Sequence, residues 1–242
     1  MDRFDLCEGV GENEDISDLC LIGQILVSKT LNKQAVSNIL RSAWRPREAL
    51  EISPWWENVY LFQFEDHEDR KRVLSEAPWS VMRSLLVLQP FLVSRSAAEM
   101  EFNWCSFWVQ AHGVPMAKMT SGNAEIISKR IGNLIGVEVM HDGLLLNRSF
   151  LRMRVELDVS KPLPLGFILQ HNVALGQASK ETWVQYKYEK LTDFCYDYRR
   201  IGHENSMCKF VSRDEGKKSG YGPQLRTSRA PNLNVPMEQM KH

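Results

Sequence analysis

Features that mark several large protein classes are scarce or missing in this sequence. Five cysteines among 242 residues are too few for the disulfide framework of a small secreted domain. The longest apolar stretches are far shorter than the roughly 20 residues of a membrane-spanning helix. The 30 Lys and Arg residues balance the 30 Asp and Glu residues, which excludes the strongly basic composition of a nucleic-acid packaging protein. The hydrophobic fraction, 43%, is ordinary for a globular protein, so we expect a folded core.

Common catalytic motifs are missing as well. The sequence contains no P-loop, no Gly-x-Ser-x-Gly, no His-Glu-x-x-His and no kinase motif set. The clustered acids Glu65, Asp66, Glu68 and Asp69 are typical of a helix N-terminus, where the helix dipole favours carboxylates. His112 lies in a Gly-Val-Pro turn, where we expect a structural role. We therefore predict a protein with no enzymatic activity and no small-molecule substrate.

The first 20 residues carry seven acids against a single basic residue, Arg3. They lack the basic start and the apolar middle of a secretory signal. We therefore expect an intracellular protein, in the nucleus or the cytoplasm, that is neither secreted nor bound to a membrane. Few apolar residues and two glycines predict that residues 1–18 form a flexible acidic leader.

Residues 19–93 alternate between strand-like and helix-like segments. Asn32 caps a helix that stops before Pro46, and Asp66 caps a second helix that stops before Pro78. Strands are predicted over residues 19–27, 49–53, 59–64 and 85–88, with a hairpin connection at residues 54–58. The order βαββαβ is that of a ferredoxin-like domain, which RNA-recognition modules also use. The predicted fold class is therefore α+β.

Three aromatic residues, Tyr60, Phe62 and Phe64, alternate along one of these strands. In the register of an RNA-recognition module the base-stacking positions fall instead on Val59 and Leu61. Because an apolar face with a period of two is usually buried, we predict that the three rings pack beneath the helices. The sheet is then a packing surface and not a platform for RNA.

Residues 102–190 predict a second small α+β domain. Its strands are expected over residues 104–111, 134–140, 150–159, 167–169 and 183–188, and its helix over residues 121–131. Gly132 stands where a left-handed helix cap is expected. Apolar and charged residues alternate from residue 150 to residue 159, so we expect one face of that strand in the core and the other in solvent.

The charged face of that strand contains Arg152 and Arg154, for which two interpretations stay open. If the strands predicted over residues 150–159 and 183–188 are neighbours, these arginines join Arg148, Lys187 and Lys190 in a stripe that binds phosphate. Alternatively, they pair across strands with an acid: Glu156, Asp158 or Glu189.

Residues 191–210 contain the spacing of a zinc knuckle, C-x2-C-x4-H-x4-C, which brings four ligands to one metal ion. Cys195, His203 and Cys208 match three of the four ligand positions. Tyr198 replaces the second cysteine, and Arg199 replaces the glycine expected after it. The knuckle is therefore degenerate. Tyr198 could bind zinc only as a phenolate, and the pKa of a phenol is near 10. The three remaining protein ligands therefore leave the fourth coordination position of the zinc ion to water.

Basic residues and aromatic residues are interleaved around this knuckle-like segment. Such a pattern suits single-stranded nucleic acid, because cations contact phosphates and rings stack on bases. We therefore predict nucleic-acid contacts from Tyr196, Arg199, Arg200 and Lys209. Residues 211–242 have no periodicity and are predicted to form a disordered basic tail, and incidental charge in a disordered segment is the alternative interpretation of these cations.

An ordered set of motifs follows the pattern of one plant domain family. The motifs are Leu-Ile-Gly at residues 21–23, the segment 59–65 followed by Asp69-Arg70, Ala-Pro-Trp at residues 77–79, Phe-Trp-Val-Gln-Ala-His-Gly-Val-Pro at residues 107–115, Leu-Asp-Val-Ser-Lys-Pro-Leu at residues 157–163 and Tyr-Glu-Lys-Leu-Thr-Asp-Phe-Cys at residues 188–195. On these residues the chain resembles the plant domain of unknown function that precedes a C-terminal zinc knuckle in LINE-type retrotransposon open reading frames and their host-encoded relatives.

The resemblance covers about residues 19–208. It implies binding of zinc and of a nucleic acid, RNA or single-stranded DNA, with no established catalytic role. The alternative that stays open is a protein-interaction or vestigial module whose knuckle no longer binds metal.

Overall fold

The structure, a computed structural model, describes residues 3, 17–96, 99–138, 149–171, 180–192, 194–195, 200–201 and 225–227. The chain divides into two compact units, Met1–Phe102 and Asn103–His242, called here the first unit and the second unit. Both combine helices with antiparallel strands, so the predicted α+β class is confirmed. Among the described residues, no helix has the length and apolarity needed to cross a membrane. The predicted leader lies almost entirely outside these ranges.

The first unit is one antiparallel sheet with two helices. Its elements are β1 Cys20–Ile25, α1 Lys33–Trp44, β2 Leu50–Trp56, β3 Val59–Phe64, α2 His67–Ser75, β4 Trp79–Val81 and β5 Ser84–Pro90. The strand order is β2-β3-β1-β5-β4. In this order β5 occupies the place of the last strand of a ferredoxin-like domain, which confirms the predicted βαββαβ unit. The short edge strand β4 was not predicted, because its three residues are too few to show a period.

Both predicted helix caps are present. The Asn32 side chain accepts a hydrogen bond from the backbone N–H of Ala35 at 3.0 Å, and Asp66 accepts one from Glu68 at 3.1 Å. Such bonds satisfy N–H groups that have no partner inside the helix. Helix α1 ends at Trp44, and Arg45 then takes a left-handed conformation with a φ of 45° before Pro46.

The three alternating aromatic rings lie in the core beneath the helices, as predicted. Tyr60, Phe62 and Phe64 are all at most 2% exposed, and Trp44 of α1 packs edge-on against Phe62 with ring centroids 4.9 Å apart. Edge-to-face aromatic pairs are favourable beyond the area that they bury. The interior of the first unit is therefore built around the aromatic face of β3.

Part of the opposite face of the same sheet is apolar and buried too. Ile22 of β1, Val59 of β3 and Leu85 and Val87 of β5 point away from the helices and have almost no exposed surface. A base-stacking platform requires accessible side chains on this face. Of the two predicted stacking positions, Val59 is fully buried and Leu61 is half-buried, so the prediction of a packing surface is confirmed at Val59.

The second unit is built around a larger sheet. Its elements are β6 Trp104–His112, a 3-10 turn Met116–Lys118, α3 Ser121–Ser128, β7 Asn133–Val137, β8 Phe150–Asp158, β9 Gly166–His171, β10 Lys180–Glu189, β11 Phe194–Cys195, β12 Arg200–Ile201 and β13 Arg226–Thr227. The strand order is β13-β10-β6-β8-β7, and β9 pairs with the first part of β10. Strands β11 and β12 pair with each other.

The role predicted for Gly132 is wrong. Helix α3 ends at Ser128, before the predicted end, and Gly132 does not adopt the left-handed conformation of a cap. A β-carbon at Gly132 would lie 2.1 Å from the carbonyl oxygen of Glu156. Glycine is needed here because the backbone passes close to β8, not because it ends a helix.

The alternation predicted for β8 is confirmed on one face only. Leu151, Met153 and Val155 are buried in the core as expected, but Arg152 and Arg154 on the other face are buried as well. The expectation of a solvent-exposed second face is therefore wrong at these two positions. Other polar and aromatic side chains of the sheet cover them.

Part of the predicted disordered tail forms regular structure. Arg226 and Thr227 of β13 pair in parallel with Tyr188 and Glu189 at the end of β10, and the preceding Leu225 is fully buried. The rest of residues 211–242 lies outside the described ranges. One apolar side chain in a polar segment carries no periodic signal, so this anchor was not predicted.

Asp69 does more in the first unit than interact favourably with the dipole of helix α2. Its carboxylate is buried and accepts hydrogen bonds from the backbone N–H of Arg47 at 2.5 Å and from the Arg72 guanidinium at 2.8 Å. Burial opposes ionisation of Asp69, but these bonds, with a longer one from the N–H of Glu48, overcome that effect and hold its pKa below the usual value. The carboxylate thus connects the loop after α1 to α2.

Asp69→Asn should lower the free energy of unfolding at neutral pH by about 2 kcal/mol, because hydrogen bonds to a buried charge are lost. The wild-type advantage is present above about pH 4 and disappears as the pH falls through the lower pKa of the folded state. Urea denaturation at neutral and acidic pH measures both effects. Glu68→Gln, an exposed change one residue earlier, is the control and should have little effect.

Candidate metal and nucleic-acid site

The first predicted zinc ligand lies in a short antiparallel ladder. Phe194 pairs with Ile201 and Cys195 pairs with Arg200, so residues 196–199 connect β11 to β12. Cys195 is fully buried and Arg200 is exposed. The ladder therefore holds the first ligand position at the base of the connection that contains Tyr198.

The other predicted ligands, His203 and Cys208, lie outside the described residues, as does Tyr198. Within the described ranges, no three His, Cys, Asp or Glu side chains are grouped so that they could hold a metal ion. The donor chemistry of the sequence still suits zinc in part, since two thiolates and an imidazole are ligands that zinc takes in knuckles.

Of the four residues predicted around the knuckle to contact nucleic acid, the structure describes Arg200 alone. Its exposed side chain leaves β12 on the surface of the second unit. Tyr196, Arg199 and Lys209 lie outside the described residues. Their predicted contacts with nucleic acid stay predictions.

Arg152 lies at the centre of a buried ion-pair network. Its Nε and Nη2 atoms donate to the two carboxylate oxygens of Glu189 at 2.8 and 2.9 Å, and its Nη1 donates to Glu138 at 3.1 Å. The guanidinium also lies 3.8 Å from the ring centroid of Trp108. A two-pronged carboxylate contact combined with stacking on an aromatic face satisfies this side chain, which is only 3% exposed.

The network continues along the same face of β6. Gln110 donates to Glu189 at 2.7 Å, and His112 Nε2 lies 3.0 Å from the side-chain oxygen of Gln110. Because that oxygen can only accept, the imidazole donates through Nε2. Burial, together with the nearby Lys187, lowers the pKa of His112, so the ring is neutral at pH 7 and packs against Phe150.

These contacts favour one of the two interpretations of the arginine face. Arg152 pairs with Glu189, one of the acids proposed as its partner, and additionally with Glu138. The proposed stripe requires β8 and β10 to be neighbours, but β6 lies between them. Phosphate binding by Arg152 and Arg154 stays a prediction, and for Arg152 it would require an anion to replace two buried carboxylates.

Sequence reasoning missed the side chains that complete the network: Trp108, Gln110 and Glu138. Trp108 and Gln110 lie within the motif at residues 107–115, and their spacing of two places them on the same face of a strand. That periodicity was visible in the sequence. The strand order, which places β6 between Arg152 and Glu189, was not visible in the sequence.

Comparison with known families gives two matches. Residues 13–93 match the family described as a domain of unknown function (DUF4283), and residues 157–210 match a zinc knuckle family. The predicted arrangement, a domain of unknown function followed by a zinc knuckle, is confirmed. The DUF4283 match spans the βαββαβ sheet of the first unit, and the zinc-knuckle region, residues 157–210, spans β9 to β12. No curated protein matches the chain.

Glu189→Gln should lower the free energy of unfolding of the second unit by about 3 kcal/mol, because a buried guanidinium loses its paired carboxylate. Chemical denaturation with hydrogen exchange of the β6 and β8 amides measures this effect. Lys161→Gln removes an exposed partner of Asp158 at 2.8 Å and is the control, with an expected change below about 1 kcal/mol. Equal, small changes in the two variants would show that the network does not stabilise the unit.

Proposed function

We propose that the protein binds RNA or single-stranded DNA and has no catalytic activity. The observation that carries this proposal is the zinc-knuckle match over residues 157–210, because a zinc knuckle suggests nucleic-acid binding. A retrotransposon-related origin, which the resemblance of the motifs implies, and an intracellular location in the nucleus or the cytoplasm belong to the same proposal.

The contacts proposed for this function lie within, or close in sequence to, the β11-β12 ladder. Arg200 is exposed beside the buried Cys195, and Arg199 and Lys209 add two further cations within the same short stretch of sequence. Cations of this kind attract phosphates without regard to base sequence, and Tyr196 supplies a ring for stacking. The expected binding is therefore largely electrostatic.

Zinc binding is proposed through Cys195, His203 and Cys208. A bound zinc ion would connect the β11-β12 ladder to the segment that follows it. Metal binding and the folding of such a small unit are coupled. Because Tyr198 stands at the second of the four ligand positions, the affinity should be lower than that of a site with four zinc ligands.

A second candidate function is a protein-interaction or vestigial module. Tyr198 favours it, because a knuckle that had kept its metal site would have a soft ligand at that position. The burial of Val59, one of the two base-stacking positions in the register of an RNA-recognition module, agrees with it, since a base cannot stack on a side chain without exposed surface. Direct measurement of nucleic-acid affinity separates the two candidates.

Arg199→Gln combined with Arg200→Gln should weaken binding of a labelled single-stranded RNA, measured by fluorescence anisotropy. The logarithm of the affinity should fall linearly with the logarithm of the salt concentration, and the double variant should reduce this slope by about 0.7 for each phosphate that it no longer neutralises. Substitution is preferable to deletion of residues 195–242, because Cys195 and Leu225 are buried.

The matched control for this variant is Lys33→Gln with Lys71→Gln, which removes two exposed charges from the helices of the first unit. If both double variants lose affinity equally, the affinity for RNA depends on the net charge of the protein and not on a particular site. If the wild-type protein binds neither RNA nor single-stranded DNA, the proposed function is wrong.

Tyr198→Cys combined with Arg199→Gly should raise zinc affinity by restoring a thiolate and a tight turn. Titration of the full chain with cobalt, followed by its thiolate absorption, measures the gain. Burial raises the pKa of the Cys105 thiol to about 12, and burial also raises the pKa of Cys20, so these cysteines should not compete for the metal. His203→Ala in the same background is the control. Equally tight binding by wild type and double variant would contradict the interpretation of Tyr198 as a lost ligand.

A further inference from the structure

A groove of about 390 Å³ lies in the second unit, and its described lining includes no residue of the segment 191–210 or of the arginine network. One wall is formed by the 3-10 turn and α3, and the other by β9. Its apolar lining includes Ile127 and Phe167, and the ring of Tyr186 lies behind Phe167 at a centroid distance of 5.8 Å. The interior of the groove is therefore apolar, and Tyr186 supports it from behind.

Two cations stand at this apolar lining. Lys118 and Arg130 both line the groove, and the Arg130 guanidinium lies 5.9 Å from the ring centroid of Phe167. No carboxylate is among the described residues that line the groove, although Glu181 accepts a hydrogen bond from the lining side chain of Gln170 at 3.4 Å. Neither cation forms an ion pair with any of the described residues. Cations beside an apolar surface are complementary to a ligand that combines an apolar ring with negative charge.

The exposed edge of the groove is apolar as well. Ile126 on α3 is 62% exposed and Ile168 on β9 is 56% exposed, and both line the cavity. Two carboxamides, those of Asn123 and Gln170, also line the groove, and the Asn123 amide donates one hydrogen bond to the backbone carbonyl of Lys118 at 2.9 Å. Carboxamides offer both donors and acceptors, which is the chemistry that reads the edge of a nucleobase.

We propose that this groove binds one nucleotide of a single-stranded nucleic acid. The base packs on Ile127, Phe167 and Ile168, and the adjoining phosphate contacts Lys118 and Arg130. The volume is near the lower end of the range of about 300–1,000 Å³ for small-ligand pockets, which suits a single nucleotide. The inference rests on the proposed function and extends it to a second contact, and β9 lies within the matched zinc-knuckle region.

Two variants of the full chain test the groove against a labelled single-stranded RNA. Lys118→Gln with Arg130→Gln removes both cations, and should reduce the salt slope by about 0.7 for each phosphate that they neutralise in the wild type. Ile168→Glu places a negative charge where the base packs, and should weaken binding about tenfold, within the range measured when a base loses its stacking partner. Ile168 is already exposed, so the substitution leaves the core intact.

Each variant has a matched control in the second unit. Lys129→Gln with Lys161→Gln removes two charges that are 70% and 73% exposed and lie outside the groove. Ile135→Glu changes an exposed isoleucine on β7 in the same way. The inference is supported if the groove variants lose affinity and the controls do not, with unchanged thermal melting in all four.

The remaining outcomes separate the groove from the proposed function. RNA binding that is equal in groove variants and controls overturns the groove site and leaves the proposed function intact. No binding of RNA or single-stranded DNA by the wild type overturns both. A synthetic peptide rich in Glu and Leu is the last probe, because peptide binding that the groove variants remove, with RNA binding unchanged, would identify a protein-docking groove and overturn the inference.

Discussion

The ion pair between Arg152 and Glu189 is the constraint around which the second unit is organised. Removing two charges from water is costly, and their attraction compensates only when geometry is good and the remaining donors and acceptors are satisfied. Here the carboxylate is contacted through both oxygens and also by Gln110, while the guanidinium has Glu138 and the Trp108 ring as further partners. A pair so completely surrounded tolerates little displacement of the strands that carry it.

This constraint links strands that are distant in sequence. Arg152 comes from β8 and Glu189 from the end of β10, and β6 between them contributes Trp108 and Gln110. A shift of one residue in any of these pairings would turn the side chains to the opposite face of the sheet. The network therefore specifies the register of the central strands. Glu189, where that register is fixed, also pairs with β13 and is followed closely in sequence by β11.

The sequence predicted what local chemistry determines. The Asn32 and Asp66 caps act within three residues, and the period-2 pattern of Tyr60, Phe62 and Phe64 reflects one strand on one layer of helices, so these features could be predicted. The partners of Arg152 depend on which strands are neighbours, and the role of Gly132 depends on the nearby backbone of β8. Such features arise from pairing across long stretches of chain. For the candidate site, ligand spacing was readable, but the groove between α3 and β9 depends on two segments about 40 residues apart and had no pattern in the sequence.

The return of the chain at β13 has a consequence for the edge of the second sheet. Arg226 and Thr227 pair in parallel with Tyr188 and Glu189 at the end of β10, and Leu225 before them is fully buried. At these two positions β13 lies on the side of β10 opposite to β6. A strand edge whose N–H and C=O groups have no partner is a template for pairing with another chain. The short return of the chain therefore protects the edge that carries Glu189, the carboxylate of the buried network, from pairing with a second molecule.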